Sequence, residues 1–224
     1  MSGALNNQER FLNDVRSHEM IVLHESGTYR HLRFKRPGTG CMHFDLVTYP
    51  GHLVMSGDMG TWVFSRLDDM FEFFRTDRPR SGNLRINLGY WSEKLQAVDG
   101  NRTHAGCQEF SKEKFERVIK EQRMEWMRDG RFDKAQRREL WEAIDEEILR
   151  LIDDGETAAY QAANDFAYPP SWSDSTARRA RFSDLWDHDF KEYTHHFVWA
   201  CYAIAWGIHR YDEAKSPMPT KEAA

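Results

Sequence analysis

The segment from Gly40 to Arg75 constrains the fold more than any other part of the chain, because it contains two turns that require one strand register. Pro50-Gly51 fits the centre of a type II turn, in which glycine takes the positive φ. Asp58-Met59, flanked by glycines, fits a second turn. Because both turns agree on the pairing, we predict an antiparallel three-stranded meander. The predicted pairs include Leu46 with Met55, Val47 with Val54, Val54 with Val63 and Met55 with Trp62.

The two faces of this meander differ, because successive side chains of a strand point to opposite sides of the sheet. One face is aliphatic and aromatic and is predicted to lie on the core. The other carries valines among polar groups, which is more apolar than a solvated face. We expect a helix of the same chain, or a partner or ligand, to cover it. The core face comprises Phe44, Leu46, Leu53, Met55, Trp62 and Phe64, and the opposite face His43, Asp45, Val47, Val54, Ser56, Thr61 and Val63.

Helical patterns follow the meander. Ser65 is predicted to cap a first helix with its hydroxyl group. The segments 111–130 and 133–155 each carry an apolar stripe at helical spacing, which predicts a helical hairpin with charged outer faces. Tyr193–Tyr211 is apolar on every side from Phe197 to Ile208 and is predicted to be a buried helix.

We therefore predict an α+β protein: an N-terminal antiparallel β-meander with helices, packed on a C-terminal, mostly helical region. The polar stretch that begins at Asp99 marks the boundary between these two regions of the sequence. Residues 1–98 form the α+β sheet region and residues 99–224 the helical region of one compact domain.

Composition excludes several classes of protein. The net charge of −5 argues against direct binding of nucleic acid. The longest apolar run, Phe197 to Ile208, spans about 12 residues, whereas a bilayer needs about 20, and residues 1–20 lack a signal-peptide core. Three separated cysteines without CxxC spacing argue against a disulfide framework and favour a reducing cytoplasm.

Motifs for common chemistries do not occur in the sequence. There is no Walker A motif, no Rossmann glycine fingerprint and no GxSxG. His188, His195 and His196 do not have the spacing of a helical metal site. We expect no cofactor and no metal, and we favour binding over catalysis.

Two charged surfaces are candidates for contact with a partner protein, although each also fits an ordinary solvated face. A loop rich in arginine suits an acidic or phosphate-bearing partner. The acidic face of the helical hairpin suits a basic one. The candidate partner-binding residues are Arg75, Arg78, Arg80 and Arg85 of the loop, and Glu142, Glu146 and Glu147 of the hairpin.

A small-ligand site is the alternative. Arg33, His43 and Asp45 could line a pocket between sheet and helices, where they would hold an anion or transfer protons. The protein would then be a nucleotide-binding or nucleotide-sequestering protein or a small hydrolase.

Two segments carry a resemblance. Phe44–Arg75, FDLVTYPGHLVMSGDMGTWVFSRLDDMFEFFR, and Phe197–Asp212, FVWACYAIAWGIHRYD, resemble a family of uncharacterised accessory proteins encoded in bacteriophage and prophage genomes. The resemblance implies the cytoplasm of an infected bacterium and binding to a host protein or protein complex. It implies inhibition or redirection of that factor, for example a defence system, as by an anti-CRISPR-like inhibitor. Association of two copies of the chain into a homodimer is a further option that the sequence does not decide.

Overall fold

The computed structural model describes residues 6–75, 84–99, 106–128, 132–170 and 179–216. Strands dominate its N-terminal part and helices the remainder. The strands are β1 (Glu19–Ser26), β2 (Tyr29–Lys35), β3 (Phe44–Tyr49), β4 (His52–Gly57), β5 (Gly60–Ser65), β6 (Leu95–Val98), β7 (Gln108–Phe110) and β8 (Lys191–Tyr193). The helices are α1 (Asn7–Val15), α2 (Met70–Arg75), α3 (Leu88–Ser92), α4 (Lys112–Arg128), α5 (Lys134–Glu147), α6 (Glu156–Asp165) and α7 (His195–Lys215), with 3₁₀ helices at Leu149–Asp154 and Leu185–Asp187.

Six strands form one antiparallel sheet in the order β1-β2-β3-β4-β5-β6, and β7 pairs with β8. The predicted register is confirmed, with Val47 opposite Val54 and Val54 opposite Val63. Gly51 has a φ of 82°, as the second central position of a type II turn requires. The α+β class with an N-terminal meander is therefore confirmed.

Helix α7 covers the aromatic face of the sheet. A Cβ atom built on Gly207 would lie 2.7 Å from Leu46 Cδ1 and 3.2 Å from the Phe34 ring, so helix and sheet are in close contact there. Trp199 of α7 meets the Phe44 ring edge-on, with centroids 5.6 Å apart. The predicted core face is buried throughout, and the valine band lies on the side away from α7.

The described residues form two compact units, each with its own hydrophobic core. Of the described residues, the sheet unit contains those up to 108 and those from 193 onward, and the helical unit contains those between 109 and 192. The division thus falls after Gln108 rather than after residue 98. Helix α7 belongs with the sheet, because its apolar surface is buried against the aromatic strand face.

The prediction that Ser65 caps the helix after the meander, α2, is wrong. Ser65 is the last residue of β5, and α2 begins only at Met70. The Asp69 carboxylate accepts a hydrogen bond of 2.9 Å from the Phe71 amide, as an N-cap side chain does. Between Ser65 and α2, the Asp68 carbonyl accepts a hydrogen bond from the Gly51 amide of the turn between β3 and β4.

Candidate functional site

The face of the sheet opposite α7 is called the outer face here. The sequence did not decide whether this face is covered by a helix of the same chain or by a partner or ligand. Its three valines are half-buried and belong to neither core of the described residues. Strand pairing places further side chains on this face, because paired residues share a side of the sheet. The outer face comprises Ile21, His24, Tyr29, His31, Arg33, Asp45, Val47, Tyr49, His52, Val54, Ser56, Thr61 and Val63.

Three large apolar side chains of the outer face are partly exposed to solvent. Ile21, Tyr29 and Tyr49 expose 39%, 53% and 40% of their surface. Tyr49 stacks on His52 across the Pro50-Gly51 turn, with ring centroids 4.8 Å apart and an angle of 17° between the planes. Exposed aromatic and aliphatic side chains on one face of a sheet are typical of protein interaction surfaces.

An ion-paired cluster lies beside these residues. The Arg33 guanidinium donates two hydrogen bonds of 2.8 Å to Asp45, from Nε to Oδ1 and from Nη2 to Oδ2. The His31 Nε2 atom lies 2.9 Å from Asp45 Oδ2. Burial alone would raise the pKa of Asp45, but the hydrogen bonds from Arg33 and His31 outweigh it and lower that pKa. Asp45 is therefore an ionised, fully engaged carboxylate, which suits positioning better than proton transfer.

The alternative ligand residues are only partly brought together. Arg33 and Asp45 are paired, but the His43 Nδ1 atom lies 2.8 Å from the Gly40 carbonyl oxygen and 3.0 Å from Asp58 Oδ1. His31 takes the third place in the cluster. The sequence could have indicated this position of His31, because His31 lies two residues from Arg33 on one strand and the two side chains must therefore point to the same face.

The location of that alternative site also differs from the prediction. Leu32, Phe34 and Leu46 fill the inner face of the sheet with no exposed surface. Arg33 and Asp45 lie on the outer face, away from α7. These side chains consequently do not line a space between the sheet and its covering helix.

The arginines of the predicted loop have different environments in the structure. Arg75 donates hydrogen bonds of 3.0 Å and 2.7 Å to the two carboxylate oxygens of Asp212, so it joins α2 to α7. This bidentate pair gives Arg75 a structural role. Arg85 is exposed. Arg78 and Arg80 lie outside the described residues.

The acidic candidates are exposed along α5, whose opposite side buries Leu140 and Ile144. Glu142 accepts a hydrogen bond of 2.9 Å from Arg138 one turn earlier, and Glu146 and Glu147 face solvent. Exposed pairs of this kind contribute little to stability. The acidic face is thus available to a partner, but nothing about its geometry distinguishes it from a solvated helix face.

The edge strand β1 is a further accessible surface. Seven of its eight residues are exposed, and these include Ile21, Val22 and Leu23. Within the described residues its only strand neighbour is β2. An apolar edge strand of this kind is able to pair with a strand of another chain.

A metal site and a membrane-spanning helix are both absent from the described ranges. No three His, Cys, Asp or Glu side chains lie there in a group that could hold a metal ion. None of the helices in the same ranges has the length and apolar character needed to cross a bilayer. No protein-family model, curated protein or solved structure matches the chain. Its function must therefore be inferred from its own surfaces.

Proposed function

We propose that this protein acts by binding another protein through the outer face of its sheet. The exposure of Ile21, Tyr29 and Tyr49 on one face carries this proposal. A face exposed only to water gains nothing from such side chains, whereas burying them against a partner contributes about 25 cal/mol per Å² of apolar surface. Tyrosine and arginine are also among the residues that dominate the energy of protein interfaces.

The outer face is prepared for binding rather than for a reaction. Tyr49 is already stacked on His52, and Arg33 is already held by Asp45. Side chains that are ordered before association lose less conformational entropy when a partner arrives. The face therefore presents fixed apolar and hydrogen-bonding groups, and binding is its best-supported use.

The partner that we propose is a host protein or protein complex in the bacterial cytoplasm, which a phage-encoded accessory protein would inhibit or redirect. A defence system is the first candidate, so that the protein would act as an anti-CRISPR-like inhibitor. The resemblance of Phe44–Arg75 and Phe197–Asp212 to phage accessory proteins supports this choice of partner. The outer face supports the mode of binding.

The test begins with affinity capture from bacterial lysate and mass spectrometry, followed by calorimetry with the purified partner. Val54→Glu places a charge at the centre of the outer face, and we expect its affinity to fall at least about tenfold, because that charge would be buried without a counter-ion. Tyr49→Ala should also weaken binding by about tenfold or more.

Leu12→Glu is the matched control, since Leu12 is a 37% exposed apolar residue of α1. It should leave affinity unchanged. Wild-type affinity in folded Val54→Glu and Tyr49→Ala variants would refute the outer face as the interface. Loss of binding only on reversing Glu142, Glu146 and Glu147 to lysine would assign the interface to α5.

A further inference from the structure

One tryptophan of the helical unit stands largely in solvent. Trp186, in the 3₁₀ helix Leu185–Asp187, is 74% exposed, whereas Trp126 of the same unit is 8% exposed. The Trp186 indole stacks on Tyr160 of α6, with ring centroids 4.9 Å apart and planes at 20°. Tyr160 in turn packs edge-on against the buried Phe190 at 5.6 Å. The pair is thus an aromatic platform supported from beneath and open above.

A groove of about 500 Å³ runs along α6 beside this platform. Helical spacing brings its polar side chains to one side of α6. Each of these side chains carries an oxygen that accepts hydrogen bonds, and the two at the ends of the helix are carboxylates. The groove is lined by Glu156, Thr157, Tyr160, Gln161, Asn164, Asp165 and Trp186.

The electrostatic surroundings of the platform are negative. Burial raises the pKa of Tyr160, and the nearby charges of Glu156 and Asp189 raise it further. The exposed ammonium group of Lys191 lies 3.7 Å from Glu156 and offsets part of this charge. Asp165 adds a carboxylate at the far end of the groove. An aromatic face within a negative field attracts cations.

The helical unit itself contains an occupied version of this arrangement. The Arg123 guanidinium carbon lies 3.3 Å from the centre of the Trp141 ring, and Nη1 donates a hydrogen bond of 2.7 Å to Asp145. Indole face and carboxylate together hold the guanidinium. The groove beside Tyr160 and Trp186 offers the same two kinds of group on an open surface.

We propose that this groove binds the cationic side chain of a basic peptide segment, with arginine as the preferred residue. The guanidinium would lie on the Tyr160–Trp186 platform, and Glu156 or Asp165 would accept its hydrogen bonds. Arginine is preferred because its planar group stacks on aromatic rings and pairs with carboxylates at once. The inference uses residues distinct from the outer face and stands independently of the function proposed above.

The test is an NMR titration of the full chain with a capped tri-arginine peptide. The indole N–H signal of Trp186, assigned from the Trp186→Phe variant, reports binding. A tri-citrulline peptide of equal length lacks the charge and keeps the shape. We expect saturable shifts with tri-arginine alone, and weaker binding as salt is raised.

Variants make the assignment specific. Trp186→Ala should weaken binding by about tenfold, since a cation–π contact contributes about that much. The double variant Glu156→Gln/Asp165→Asn should weaken it similarly, whereas Glu125→Gln at an exposed position of α4 should leave it unchanged. Because Trp186 is exposed, its removal leaves the core in place.

Three results would overturn the inference. Equal binding of tri-citrulline would show that charge is not recognised. Unchanged affinity in Trp186→Ala would place the peptide elsewhere. Saturable shifts with a neutral disaccharide such as cellobiose, but none with tri-arginine, would make the groove a carbohydrate site.

Discussion

Arg30 lies on the inner face of the sheet, among aromatic side chains and almost without exposed surface. Its guanidinium donates hydrogen bonds of 2.9 Å and 2.8 Å to the carboxylate of Asp69. Its charged carbon also lies 4.6 Å from the centre of the Phe71 ring. A buried charge is tolerated only where such partners replace water. The Arg30–Asp69 pair is therefore required for the local fold.

Asp69→Asn should therefore lower the free energy of unfolding by about 2 kcal/mol, because Arg30 loses the charge of its partner. Denaturant titration followed by hydrogen exchange of the sheet amides would measure the loss. Glu142→Gln removes the charge from an exposed pair with Arg138 and should cost less than about 0.5 kcal/mol. Equal effects of the two substitutions would contradict this account of Arg30.

The same pair has a predictable dependence on pH. Burial by itself would raise the pKa of Asp69, but the Arg30 hydrogen bonds and the Phe71 amide outweigh it and lower that pKa. A carboxyl group with a lowered folded pKa stabilises the fold above its unfolded pKa and loses this effect as pH falls through the folded value. The difference between wild type and Asp69→Asn should hence be constant above about pH 5 and shrink below about pH 4.

At the scale of elements, the contact between α7 and the sheet depends on Gly207. The absence of a side chain there lets the helix approach Leu46 and Phe34. Phe34 also meets Trp206 of α7 edge-on, at a centroid distance of 5.5 Å. Close packing of this kind leaves no room for even one methyl group.

Gly207→Ala should destabilise the sheet unit by about 1–2 kcal/mol, because overpacking outweighs the better helix propensity of alanine. Gly89→Ala in α3 is the matched control, since its Cβ would meet nothing closer than 3.9 Å. It should be neutral or slightly stabilising. Thermal unfolding of the two variants would measure the difference, and a stable Gly207→Ala variant would show that α7 can shift.

For the whole molecule, the two cores are made of different residues. Leu46 belongs to the core of the sheet unit, and Ile144 belongs to the core of the helical unit. Both are fully buried. Cooperative unfolding follows the residues that share a core, so each unit should respond mainly to substitutions in its own core.

Leu46→Ala should lower the protection of β2–β5 amides against hydrogen exchange by about 3 kcal/mol, and Ile144→Ala should do the same for α4 and α5. In each case we expect the other unit to lose less than about 1 kcal/mol of protection. Exchange measured by NMR or mass spectrometry would resolve the units. Parallel losses in both units would show that they unfold together.

Some parts of the candidate site could be predicted from the sequence. The alternation of β3 places Asp45 and Val47 on one face, and the register confirms their neighbours. The pairing of Arg33 with Asp45 could not be predicted, because it depends on the register between β2 and β3 across a loop. The internal partner of Arg75 is Asp212, 137 residues further along, a separation at which no local pattern carries information.

The sequence by itself determined the meander, its register and its two faces, because turn chemistry and a period of two act between neighbouring residues. Only the tertiary structure decided which face is covered. Burial of aromatic surface brings α7 from a distant part of the chain onto Phe34, Phe44 and Leu46, and the valine band lies on the side of the sheet away from α7. That choice follows from shape and apolar area summed over distant segments, and it makes the outer face the surface on which to look for a partner.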